Sequence, residues 1–106
     1  MNIYRLPKKF TKYGQVFTKV KEGHKSFIYL RSNKDGLIGY EVFKKRLKKI
    51  PVGSMEAKSD KYKGYDAYEK YPGNESFGKW AKFCMTLDRA EYHFDIYENQ
   101  QDDGEG

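Results

Sequence analysis

The chain is short of cysteine, proline and long apolar runs, and each shortage excludes something. Cys84 is the only cysteine among 106 residues, so no intramolecular disulfide can form, and a reducing, cytoplasmic setting is the simpler expectation. No apolar run approaches the length of a membrane span, and the start, Met-Asn-Ile-Tyr-Arg-Leu-Pro-Lys-Lys-Phe, has no apolar leader segment. Gly-rich phosphate loops and dinucleotide fingerprints are absent, the glycines falling singly at turns or between strands. His24 and His93 lie far apart with no cysteine pair, so neither a metal nor a cofactor is expected. For nucleophilic catalysis the candidates are Cys84 with His93, and Cys84 reads better as a small core residue. The chain is expected not to be an enzyme.

What is present is rings and cations. Ten Tyr, seven Phe and one Trp supply large, partly polar surfaces that suit half-buried sheets. The length fits a single domain, residues 1–99, with its own core. The formal charge of +6 conceals an asymmetry: residues 1–50 carry 14 Lys and Arg against Glu22, Asp35 and Glu41, a net +11, and residues 51–106 carry seven against 12 acids, a net −5. Such a split points to a basic surface and an acidic one.

Along the chain, Pro7 stops any helix through residues 1–13, which read as a basic arm or a sheet edge with Arg5, Lys8, Lys9 and Lys12 set among Tyr4, Phe10 and Tyr13. From Gln15 the pattern alternates: Val16, Thr18 and Val20 on one face, Phe17, Lys19 and Lys21 on the other. Glu22-Gly23 turns the chain into Lys25 to Ser32, and Asn33-Lys34-Asp35-Gly36 turns it again, giving a meander. In the third strand Ile38, Tyr40 and Val42 alternate, while Phe43, Leu47 and Ile50 keep a helical spacing. The absence of a helix cap after Gly39 favours strand through about Lys45, with Lys44 to Lys49 projecting as a solvated basic ribbon.

Residues 51–76 read as a long loop in which Tyr62, Tyr65, Tyr68 and Tyr71 recur every third position, either as a ladder for stacking bases or as rings that pin the loop. Ser76 to Met85 reads as a fourth strand. Thr86 then caps a helix whose Leu87, Ala90, Phe94 and Tyr97 face inward and whose Asp88, Glu91, Asp95 and Glu98 face outward, followed by a disordered acidic tail, residues 100–106. The fold class is α+β: a small antiparallel sheet of about four strands with the C-terminal helix on one face.

Tyr40-Glu41-Val42-Phe43, then Tyr71-Pro72, Phe77-Gly78-Lys79-Trp80-Ala81 and Thr86-Leu87 with Ala90, together resemble a pattern of short bacteriophage and prophage open reading frames, over roughly residues 40–97. Lys82-Phe83-Cys84 departs from that pattern in being less aromatic. The resemblance implies a phage or mobile-element accessory protein, in a class whose small basic members bind nucleic acid or block a host protein.

The expected site is cation plus ring: Lys19, Lys21, Arg31, Lys44, Lys45, Arg46, Lys48 and Lys49 as phosphate or carboxylate contacts, with Tyr62 and Tyr65 for stacking. The expected partner is nucleic acid, held without strong sequence preference. The alternative is an acidic protein surface, met by an accessory or inhibitor protein of host-takeover or anti-defence type through its basic ribbon or its acidic helix. No membrane partner is expected, and the oligomeric state is left open.

Overall fold

A computed structural model describes residues 1–100; the expected tail lies outside them beyond Gln100. The described chain runs β1 (Ile3–Tyr4), β2 (Lys9–Lys12), β3 (Gln15–Glu22), β4 (Ser26–Asn33), β5 (Gly36–Lys44), β6 (Leu47–Lys49), α1 (Met55–Lys58), β7 (Ala67–Glu69), β8 (Ala81–Cys84) and α2 (Leu87–Asn99). It is an α+β protein with a five-stranded antiparallel sheet, ordered β2-β3-β4-β5-β8, and a three-stranded mixed sheet, ordered β1-β7-β6. These fall into two compact units, one made of Lys8–Lys44 with the chain from Pro72 on, the other of Met1–Pro7 with Lys45–Tyr71.

In the larger unit the meander forms at the expected turns and gains a strand before it. β2 pairs with β3 through a two-residue hairpin, Tyr13-Gly14, so the segment expected as arm or edge is here an edge strand carrying Lys9 and Lys12. A β-bulge between Lys19 and Lys21 changes the face of the strand. Lys19 lies opposite Tyr29 and Lys21 opposite Ile28, so the two lysines expected side by side are on opposite faces. Gly36, at φ 126°, takes the positive angle that the second turn needs.

The helix covers one face. Ile28, Val42, Cys84, Ala90, Phe94 and Tyr97 form its core, with Tyr40 against them, and α2 contacts β4, β5 and β8. Ala90, Phe94 and Tyr97 are buried as their spacing requires, and the Thr86 hydroxyl accepts from the Arg89 N–H at 3.2 Å as the cap. Leu87, in the first turn, stays more than a third exposed. The opposite face carries a continuous ring cluster: Phe10 stacks on Phe17 at 4.8 Å, Tyr29 on Phe43 at 5.8 Å, and Phe27 meets Phe43 at 5.4 Å. A side chain at Gly39 would overlap the Phe83 ring, which covers that glycine on the last strand.

The fourth strand is shorter than expected. Residues 74–76 form a 3₁₀ turn, Gly78 takes φ 92°, and only Ala81–Cys84 pairs fully with β5, after the Lys44 N–H has donated to the Trp80 carbonyl at 3.0 Å.

The smaller unit contains the segments expected as a basic ribbon and a long loop. β5 stops at Lys44, and Leu47–Lys49 pairs with Ala67–Glu69 instead of projecting into solvent. The Lys70 N–H donates to the Arg46 carbonyl at 2.8 Å and the Ile50 N–H to Asp66 at 2.9 Å, which brackets the pairing. Ala67–Glu69 is also paired in parallel with Ile3–Tyr4, so this three-residue strand has partners on both sides. Ser54 caps the four-residue α1 by accepting from the Ala57 N–H at 3.1 Å, and no residue of α1 is buried.

Candidate nucleic-acid interface

On one face of the small sheet, β6, β7 and β1 bring Lys48, Tyr68 and Tyr4 to neighbouring register positions. The segment before β7 adds the rest: Tyr62 stacks on Tyr68 at 4.4 Å, nearly parallel, and Tyr4 meets Tyr62 and Tyr65 edge-on at 5.3 and 5.4 Å. The triplet spacing therefore does not make a ladder of four rings in line. It makes a cluster around Tyr4, a residue the spacing could not reveal because it comes from the other end of the chain.

Cations sit against these rings. The Lys61 ammonium is 5.7 Å from the Tyr4 ring and 5.3 Å from that of Tyr62, and the Lys48 ammonium is 6.0 Å from Tyr68. Glu56 on α1 closes the group, accepting from Lys48 Nζ at 3.3 Å and from the Tyr68 hydroxyl at 3.0 Å. The hydrogen bond to Glu56, then the neighbouring Tyr68 and Glu56 charges, hold the Lys48 ammonium above its ordinary value. Burial, then the Glu56 hydrogen bond, push the Tyr68 hydroxyl up. Lys49 is exposed on the opposite side of β6, beside the half-buried Lys45 and the exposed Arg46 in sequence. The unit carries nine Lys and Arg against four Asp and Glu, a net +5 in 34 residues.

The remaining expected site residues belong to the larger unit and are drawn into its packing. Lys19 bridges Glu22 at 2.8 Å and lies over Phe27. Lys21 reaches Glu91 at 3.8 Å and lies over Phe94, on the helix side. Arg31 bonds Gln15 at 2.6 Å and the buried Glu41 at 3.1 Å, and Lys44 lies 5.4 Å from the Tyr97 ring. In the smaller unit, Arg5 of the expected basic arm pairs with Glu69 at 3.3 Å, whose carboxylate also accepts the Leu6 N–H at 2.7 Å.

The acidic helix face is likewise only partly free. Glu98 accepts from the His24 and Lys25 N–H groups, at 3.0 and 2.9 Å, and from the Ser26 hydroxyl, so it closes the β3–β4 turn instead of facing solvent. Burial raises its pKa, but the hydrogen bonds from Ser26, Lys25 and His24 outweigh burial and hold it below the usual carboxylate value. Burial raises the Cys84 thiol against the opposing charges of Arg89 and Lys82, the wrong direction for a nucleophile at neutral pH. Among the described residues no group of three or more His, Cys, Asp or Glu is placed to hold a metal, and no helix is long and apolar enough to cross a membrane.

Fold and cluster thus define a small α+β protein with a basic, tyrosine-lined face on its mixed sheet. Compared with protein-family models, curated proteins and solved structures, the chain matches none.

Proposed function

We propose that this chain is a non-enzymatic binding protein that holds nucleic acid without strong sequence preference, through the tyrosine and lysine face of the smaller unit. The observation that carries the reading is the placement of Lys48 and Lys61 against the rings of Tyr4, Tyr62 and Tyr68 in a unit of net charge +5. Ammonium groups beside half-exposed rings offer phosphates a charge and bases a flat surface, and neither contact depends on base identity. An acidic protein would find the same charge but make less use of the rings. The acidic helix fits poorly as a phosphate mimic, because Glu91 and Glu98 are already engaged within the molecule.

The test is a binding isotherm for oligonucleotides at several salt concentrations. Affinity is expected to fall steeply with salt, with a logarithmic slope of roughly −0.7 per phosphate contact for single strands. Replacing Lys48 and Lys61 together by Ala is expected to reduce that slope by about 1 to 2. Absence of binding at about 50 mM salt, where such contacts are strong, would end the proposal.

A further inference from the structure

Among the described residues, Tyr13 is the non-glycine residue with a positive φ. Its φ is 53° and that of Gly14 is 75°, so the β2–β3 hairpin turns through two successive left-handed residues, with Lys12 and Gln15 as the last pair of the ladder. Turns of that kind favour Asn-Gly, because Asn tolerates the left-handed region and a bulky side chain does so at a cost. Here the position holds a tyrosine that is 92% exposed, so packing does not explain the choice. Strain kept without a packing reason is a pointer to use.

The surroundings say what kind of use. Lys12 lies 5.6 Å from the Tyr13 ring, while Lys8 and Lys9 are exposed toward the other end of the edge strand, where Lys9 pairs with Thr18. The β4–β5 turn, at the same end of the sheet by the strand register, adds exposed Lys34 beside Asp35. No Asp or Glu occurs in the sequence before Glu22. A single ring flanked by Lys12, Gly14 and Gln15 offers little apolar area for a bilayer, whereas one exposed ring with the Lys12 ammonium beside it suits one base and its phosphate.

We infer that Tyr13 is a stacking contact for an unpaired base, and that the ligand class of this protein is single-stranded nucleic acid. The inference rests on the nucleic-acid reading above and adds a second point of contact, on the larger unit. A duplex keeps its bases stacked on one another and offers this ring no free face.

The experiment compares the intact chain with Tyr13→Asn and Tyr13→Trp, using labelled oligothymidylate of about 20 nucleotides, a duplex of equal length and anionic vesicles. Tyr13→Asn relieves the turn, so its Tm is expected to equal or exceed that of the wild type, which keeps folding out of the comparison. Its affinity for the single strand is expected to fall about 5- to 100-fold with an unchanged salt slope, because a ring is lost and no cation. Tyr13→Trp is expected to restore affinity and to show fluorescence quenching on binding. Wild-type and Tyr13→Asn chains that bind the single strand equally overturn the inference while leaving the nucleic-acid reading intact. Equal affinity for duplex and single strand overturns the ligand class, and vesicle binding lost in Tyr13→Asn with oligonucleotide binding unchanged overturns it in favour of a membrane contact. A wild type that binds no oligonucleotide at low salt removes the underlying reading itself.

Discussion

At the scale of single residues, Glu98 and Gly23 act as one device. The Glu98 carboxylate reaches the turn because Gly23 has no side chain; a Cβ there would overlap the carboxyl group. Gly23→Ala and Glu98→Gln are each expected to destabilise by about 1 kcal/mol, a hydrogen-bonded charge discounted for partial exposure. The double variant is expected to cost little more than either alone, a coupling that denaturant titration of the four proteins measures. The same carboxylate gives a pH signature. Its folded pKa lies below the ordinary 4.5, so the unfolded chain takes up the proton first and stability is lost as pH falls through that value and below. His93, held below its ordinary 6.5 by burial and then by Arg89 and Lys82, has the same sign in a higher window, beginning below about pH 6.5. Glu98→Gln should flatten the lower part of the acid limb, and His93→Gln the upper part. None of this was legible in the sequence, where Glu98 falls at an outward helical position; its turn partner is set only by the tertiary placement of α2.

At the scale of elements, the sequence was informative wherever pairing is local. The two turns at Glu22-Gly23 and Asn33 to Gly36, the alternation of β4 and β5 and the Thr86 cap all follow from neighbours a few residues apart. It was uninformative where short strands take their pairing from distant segments. Ala67–Glu69 has three residues, too few to show a period, and its partners are Ile3–Tyr4 and Leu47–Lys49. The tyrosine face is hidden for the same reason: Tyr62 and Tyr65 could be named as candidates, but their grouping around Tyr4 with Lys61 depends on that pairing. The tight Tyr13-Gly14 turn carries no signal at its first position, because tyrosine is not a turn former. The two capped helices allow a test. Thr86→Ala removes the cap of a helix that buries Ala90, Phe94 and Tyr97 and should lower global stability by about 1 kcal/mol. Ser54→Ala removes the cap of a helix that buries nothing, so it should speed hydrogen exchange in residues 55–58 and leave the unfolding midpoint unchanged.

At the scale of the whole molecule, the basic first half and acidic second half of the chain do not map onto the two units. Within the larger unit the acidic helix is folded against basic strands from the first half, through Lys21 with Glu91 and the turn held by Glu98, whereas the smaller unit keeps a net +5. A polyanion is therefore expected to bind by more than total charge, and thermal shift can separate charge from rings. At about 100 times its dissociation constant a ligand of the folded state stabilises by about 2.7 kcal/mol, which for a chain of this size raises Tm by roughly 10 °C. Oligothymidylate at low salt is expected to give a shift of that order, lost at high salt as the phosphate contacts are screened. Polyglutamate at equal charge offers the lysines the same attraction but presents no base to Tyr13, Tyr62 or Tyr65, and should give a clearly smaller shift. Equal shifts from the two polymers at every salt concentration would mean that only charge is read, and would favour an acidic protein surface as the partner.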